Sequence, residues 1–97
     1  MRKDFTHEPD ADRYVLRLDD EIASVLDYRV LGDAIAMTRA FTNPRHRGSG
    51  LAGELVAYAV DDVEATSGRH VVPSCWYVAE WFDRHPERAQ LLRPRST

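Results

Sequence analysis

A single cysteine, Cys75, stands in the whole sequence. No disulfide can form within the chain, and a reducing compartment is its natural setting. Long apolar runs are missing too: none approaches the ~20 residues of a membrane helix. The opening Met1-Arg2-Lys3-Asp4 lacks the apolar stretch of a signal peptide. A cytoplasmic protein with no membrane partner is therefore expected. Basic charge is in deficit, with 13 Lys and Arg against 16 Asp and Glu for a net charge of −3. Nucleic acid needs a basic face that displaces counterions from phosphates, so that partner class is set aside. No repeat, low-complexity tract or linker breaks the 97 residues. One domain over 1–97 with one core is expected, as a monomer or weak dimer without a metal.

What is present divides into two periods. Residues 13–18 alternate, with Tyr14, Leu16 and Leu18 on one face, and Asp19-Asp20 supplies a turn. Residues 21–30 alternate again, placing Ile22, Leu26, Tyr28 and Val30 together with Ser24 as the polar interruption. Gly32-Asp33 allows a second reversal into residues 34–41, where Ile35, Met37 and Phe41 share a face with Arg39. This predicts a three-stranded antiparallel meander. After Pro44 the period becomes about 3.6: Leu51, Leu55, Val56, Ala59, Val60 and Val63 form one stripe. The stripe predicts a helix of about four turns that stops at Gly68. His70-Val71-Val72-Pro73 reads as a short buried strand, parallel to its predecessor through the helical crossover. Residues 76–84 read as a second helix turning Tyr77, Trp81 and Phe82 inward and ended by His85-Pro86. A last turn over 87–92 and a frayed tail over 93–97 complete an α+β chain.

The segment Arg45-His46-Arg47-Gly48-Ser49-Gly50 lies between a strand and a long helix. Its glycines allow a tight turn and close approach to a ligand. The first N–H groups of the helix lack internal partners and carry partial positive charge, which favours a phosphate. Arg45, His46 and Arg47 add donors that reach the same anion. The segment is no Walker loop, since Gly-Lys-Ser/Thr is absent, and no dinucleotide fingerprint, since a third glycine is absent. On residue types alone it is either an anion cradle or simply a tight turn.

The order Arg45-x-x-Gly48-x-Gly50-Leu51-Ala52 resembles the Q/R-x-x-G-x-G/A motif of the GNAT acetyltransferase superfamily. Val72-Pro73-Ser74-Cys75-Trp76-Tyr77-Val78 and Arg84-His85-Pro86-Glu87 are similar to segments of its unusually short members. The resemblance runs from about Asp19 to Leu92. It implies a GNAT-like fold: an antiparallel meander, a helix, a parallel strand that splays away and a C-terminal helix. It also implies acetyl-coenzyme A as cosubstrate, with an amine on a small molecule or protein as acceptor. The pyrophosphate would lie on Arg45, His46, Arg47, Gly48, Ser49, Gly50, Leu51 and Ala52, and the pantetheine arm along Phe41 and Thr42. Cys75 would sit near the thioester, and Tyr77 could protonate the departing thiolate.

These residues keep bland readings beside the functional ones. Cys75 at a helix start is a stabilised thiolate and nucleophile, or else a buried inert thiol. Tyr77 can equally pack on the sheet, and Trp76, Trp81 and Phe82 are expected in the core or a groove wall. Many short relatives carry a histidine two or three residues beyond the middle of the loop strand, where this chain has Thr38-Arg39-Ala40. Arginine stays protonated and cannot act as a base. His70 and His85 are placed as a strand-edge and a helix-end residue. Members of the superfamily are commonly longer, which leaves the acceptor site open, shared with a partner, or absent. Three functions follow: an N-acetyltransferase, a non-enzymatic acyl-coenzyme A module or partner-dependent subunit, and an interaction domain whose loop binds nothing.

Overall fold

The computed structural model describes residues 2–93. Four antiparallel strands follow one another: β1 (Lys3–Glu8), β2 (Arg13–Leu18), β3 (Glu21–Leu31) and β4 (Ala34–Thr42). Helix α1 (Leu51–Thr66) then crosses over to β5 (His70–Pro73), which adds parallel to β4 at the sheet edge. Helix α2 (Trp76–Arg84) and a 3-10 turn (Pro86–Leu91) complete the described chain. The meander thus has one strand more than its periodicity predicts. Lys-Asp-Phe-Thr-His-Glu carries too few apolar residues to declare β1, which instead gains its place by pairing along the whole of β2.

The α1 stripe is the predicted one, with Leu51, Leu55, Val56, Ala59, Val60 and Val63 all buried against the sheet. Gly68, at φ +65, ends the helix and returns its N–H to the carbonyl of Val63. On the sheet, Tyr14, Leu16, Leu18, Leu26, Tyr28, Ile35 and Met37 meet that stripe. Burying about twenty apolar side chains at roughly 1.5–3 kcal/mol each is what drives a chain this short to fold.

Two irregularities change the predicted faces. Between Leu16 and Arg17 the β2–β3 register slips by one residue, and Ala23 enters the core in place of Ile22. Between Asp27 and Tyr28 the β3–β4 register slips again, leaving Thr38 as the extra residue. One extra residue inverts the parity of everything after it. Ile35 and Met37 therefore face α1, whereas Arg39 and Phe41 face away, the guanidinium lying 5.6 Å from the Phe41 ring centre. The shared face expected for all four is corrected accordingly. Val30 also leaves the core, at 46% exposed, on the wall of a cavity that it shares with Val63 and Thr66 of α1. Ser24 is buried and satisfied by donating to the Phe41 carbonyl at 2.8 Å.

A polar cluster ties β1 to α1. The Tyr14 hydroxyl donates to Asp62 at 2.7 Å, and the His7 ring stacks on Tyr14 and meets the Tyr28 hydroxyl at 2.6 Å. Burial, then the Asp62 carboxylate, push the Tyr14 phenol well above its ordinary range. The last turn is clamped by Arg88 to Asp61 and Glu64 of α1. Arg93, expected in a frayed tail, donates its N–H to the Val71 carbonyl, and the rest of that tail lies outside the described residues. No helix among the described residues is long and apolar enough to cross a membrane.

Candidate active site

The site begins where β5 stops accompanying β4. The two strands pair from Ala34↔His70 to Met37↔Pro73, and the Cys75 N–H then donates to the Met37 carbonyl at 3.0 Å. Beyond Met37, β4 runs on to Thr42 while the chain after β5 turns into α2. Strand residues point their N–H and C=O groups alternately to either side. In this half of β4, every second residue turns them into the gap between the diverging segments.

At the end of β4 the chain is held tightly before the helix. The Asn43 N–H donates to the Ala23 carbonyl at 2.8 Å, and the Asn43 side chain accepts from the Arg45 N–H at 3.0 Å. The Ser49 hydroxyl closes the turn on the His46 carbonyl. Gly48 and Gly50 stand at φ +86 and +77, the left-handed region where a side chain is strained. Gly50 is also the helix cap, and the first backbone bond of α1 runs from Glu54 back to it. The N–H groups of Leu51, Ala52 and Gly53 therefore have no acceptor among the described residues, as the start of a helix dictates.

The three basic side chains of the segment do not act alike. Glu21, at the start of β3, accepts from the His46 ring at 3.0 Å and from Arg45 at 3.2 Å. The hydrogen bond from His46, then the charge of Arg45, hold the Glu21 carboxyl below its ordinary 4.5. Arg47 has no carboxylate partner among the described residues and borders the loop cavity. Sequence reasoning missed Glu21, because nothing in its neighbourhood marks it and its partners lie some two dozen residues away.

Two cavities open beside the loop. One, about 320 Å³, is walled by Thr42, His46, Arg47, Gly48, Gly50, Leu51, Ala52 and Tyr77. The other, about 410 Å³, lies in the groove between α1 and α2. They share Gly50 and Tyr77. Of the expected coenzyme residues, Thr42, His46, Arg47, Gly48, Gly50, Leu51 and Ala52 share the wall of the smaller one, whereas Arg45 turns to Glu21 and Ser49 to the His46 carbonyl. Phe41 stands on the far face of β4, and Tyr77 stands at the loop cavity. Cys75 caps α2, half-buried against the core, and lines neither cavity. Trp76, expected in the core or a groove wall, is 75% exposed, because it lies opposite the Val78, Trp81 and Phe82 face of the helix. His85 is the helix-end residue predicted, its ring stacked on Trp81 and bonded to the Trp81 carbonyl at 2.7 Å. Arg39 pairs weakly with Asp27 at 3.8 Å and offers no base.

An α+β sheet that splays beside a glycine-rich helix start defines the GNAT class of acetyltransferase folds. The chain belongs to that family: the family model described as GCN5-related N-acetyl-transferase matches residues 13–91. That match begins after β1, the strand that the sequence left undeclared. None of the curated proteins matches the chain. Among solved structures, the fold is similar to the ribosomal-protein-S18-alanine N-acetyltransferase of Escherichia coli, with TM-score 0.63 and 16% identity over 75% of this chain and 50% of that one. It is also similar to the ribosomal-protein-alanine N-acetyltransferase of Brucella melitensis biovar Abortus 2308, with TM-score 0.58 and 18% identity over 88% of this chain and 63% of that one. The chain thus spans about half the length of the first and under two thirds of the second.

Proposed function

We propose that this chain binds acetyl-coenzyme A at the loop between β4 and α1 and transfers the acetyl group to an amine. One observation carries this reading. Leu51 and Ala52, whose N–H groups have no partners among the described residues, the Arg47 side chain, likewise unpaired among them, and two left-handed glycines all wall one cavity at the end of β4. The diphosphate would be held at the helix start and the pantetheine arm would run along β4 into the gap. A neutral amine then attacks the thioester carbonyl, polarised by a β4 N–H turned into that gap. The coenzyme leaves as its thiolate, and the amine loses its proton to water or a nearby group. The two similar structures are named for acetylating alanine of ribosomal proteins, so protein amines lead the acceptor screen and small amines follow.

Mass spectrometry tests this directly. Under native conditions one coenzyme per chain is expected, and with an amine acceptor a time-dependent acetylated product. No bound coenzyme at saturating ligand would overturn the reading. Bound coenzyme without turnover on any acceptor supports the second reading, a non-enzymatic acyl-coenzyme A module or a subunit completed by a partner. Arg39 at the strand position and the short span against the solved structures favour that alternative.

Arg47→Ala is expected to weaken coenzyme A binding about tenfold, the contribution of a hydrogen bond between charged groups. It should also flatten the salt dependence, because added salt screens exposed ion pairs. Arg45→Ala should do less of both, since Glu21 already holds Arg45. Titration calorimetry at several salt concentrations checks this, and an unchanged slope for Arg47→Ala would mean that the side chain points elsewhere.

A further inference from the structure

Gly53, in the first turn of α1, is a glycine the backbone does not need. Its φ is not in the left-handed region, and glycine within a helix costs about 0.5–1 kcal/mol relative to alanine. What sets the position apart is its neighbour. A Cβ on Gly53 would lie 3.3 Å from the Tyr77 hydroxyl oxygen, closer than ordinary van der Waals contact. The missing side chain lets Tyr77, on the first turn of α2, lay its hydroxyl against the start of α1.

The Tyr77 hydroxyl has no hydrogen-bond partner among the described residues, although the ring is half-buried and borders both cavities. Burial raises its pKa from the ordinary 10.0, so at neutral pH it is an O–H donor. The rest of the smaller cavity's wall is Thr42 at the end of β4, the loop with His46 and Arg47, and the start of α1. Leu51 and Ala52 belong to that wall and Gly53 to the wall of the larger cavity, and the N–H groups of all three have no acceptors among the described residues. Cys75, the residue at the β4–β5 divergence, is in neither wall.

We propose that Tyr77 donates a hydrogen bond to the diphosphate of the bound coenzyme, and that Gly53 is the positioning residue that admits it. This rests on the coenzyme-binding reading of the loop, and assigns Tyr77 to the phosphate end instead of the departing thiolate. A phenol that stays protonated suits such a role, because it gives a neutral, fixed donor beside an anion already met by backbone N–H groups and Arg47.

The test is calorimetry on the full chain with three probes, coenzyme A, ADP and pantetheine, paired with thermal melts. Tyr77→Phe is expected to weaken coenzyme A and ADP by about tenfold, the size of a hydrogen bond to a charged acceptor, and to leave pantetheine unchanged. Its melting temperature should barely move, since the hydroxyl bonds no protein group among the described residues. Gly53→Ala should melt at the same or a higher temperature through better helix propensity, yet bind coenzyme A and ADP several-fold more weakly as Tyr77 is pushed aside. That opposition of stability and affinity is what a purely structural role for either residue would not produce. Undiminished ADP binding by Tyr77→Phe overturns the proposal and leaves the loop reading standing. A loss confined to pantetheine also overturns it and returns Tyr77 to the acyl end. If the unmodified chain binds neither coenzyme A nor ADP, the loop reading fails and the proposal falls with it.

Discussion

Gly48→Val is expected to lower coenzyme A affinity by well over tenfold, more than about 1.4 kcal/mol, with only a modest loss of stability. Two costs combine. At φ +86 the loop holds a conformation that costs an L-residue roughly 1–2 kcal/mol, and a β-branched one most of all. The new side chain would also stand in open space, because nothing lies within 4 Å of a Cβ there. On the proposed reading, that space is the approach of a phosphate to the helix start. The strain therefore costs stability, and the side chain itself opposes the ligand without a clash inside the protein. Calorimetry paired with a thermal melt separates the two costs. Equal affinity in the valine variant would mean that the glycine turn only reverses the chain, and the coenzyme site would have to lie elsewhere.

Acetyl-coenzyme A is expected to protect Cys75 from a thiol-alkylating reagent, and Cys75→Ala is expected to lose any acetyl adduct while binding the coenzyme nearly as well. Cys75 sits where β4 and β5 part, its N–H bonded to Met37 and its carbonyl accepting the first bond of α2. A thiolate there could attack the thioester carbonyl. The new carbon–sulfur bond forms on Cys75, the old one breaks, and the coenzyme departs as thiolate. An amine would then take the acetyl group from Cys75. Slow labelling, equal with and without ligand, would mark an inert thiol reached only when the fold opens, and would retire this route. The direct transfer and the coenzyme site would stand, since neither depends on the thiol.

Much of the molecule is legible before any coordinates. A 3.6-residue period from Leu51 to Val63 with a glycine beyond it leaves little freedom, and the helix forms with the predicted face buried. Gly48 and Gly50 mark the loop because few other residues accept a left-handed backbone at a helix start. The bounds of α2 are equally plain, since Pro86 disfavours helical geometry just before it. Strand faces are less secure. Alternation names a face only while the register holds, and the extra residue at Thr38 turned Arg39 and Phe41 away from Met37 without leaving any mark in composition.

Contacts between distant segments are the part that only the tertiary structure decided. β1 has no strong pattern of its own and is a strand because β2 offers it an edge. Glu21 bonds Arg45 and the His46 ring, leaving Arg47 without a carboxylate partner among the described residues at the cavity wall, through a meeting of β3 with a loop far along the chain. Tyr77 was legible as an aromatic of α2, but its place over Gly53 depends on how two helices lie side by side. Local order follows from periodicity, glycine and proline, which act over a few residues. The chemistry of the loop follows from side chains that the fold brings together from across the sequence, where no short-range rule reaches.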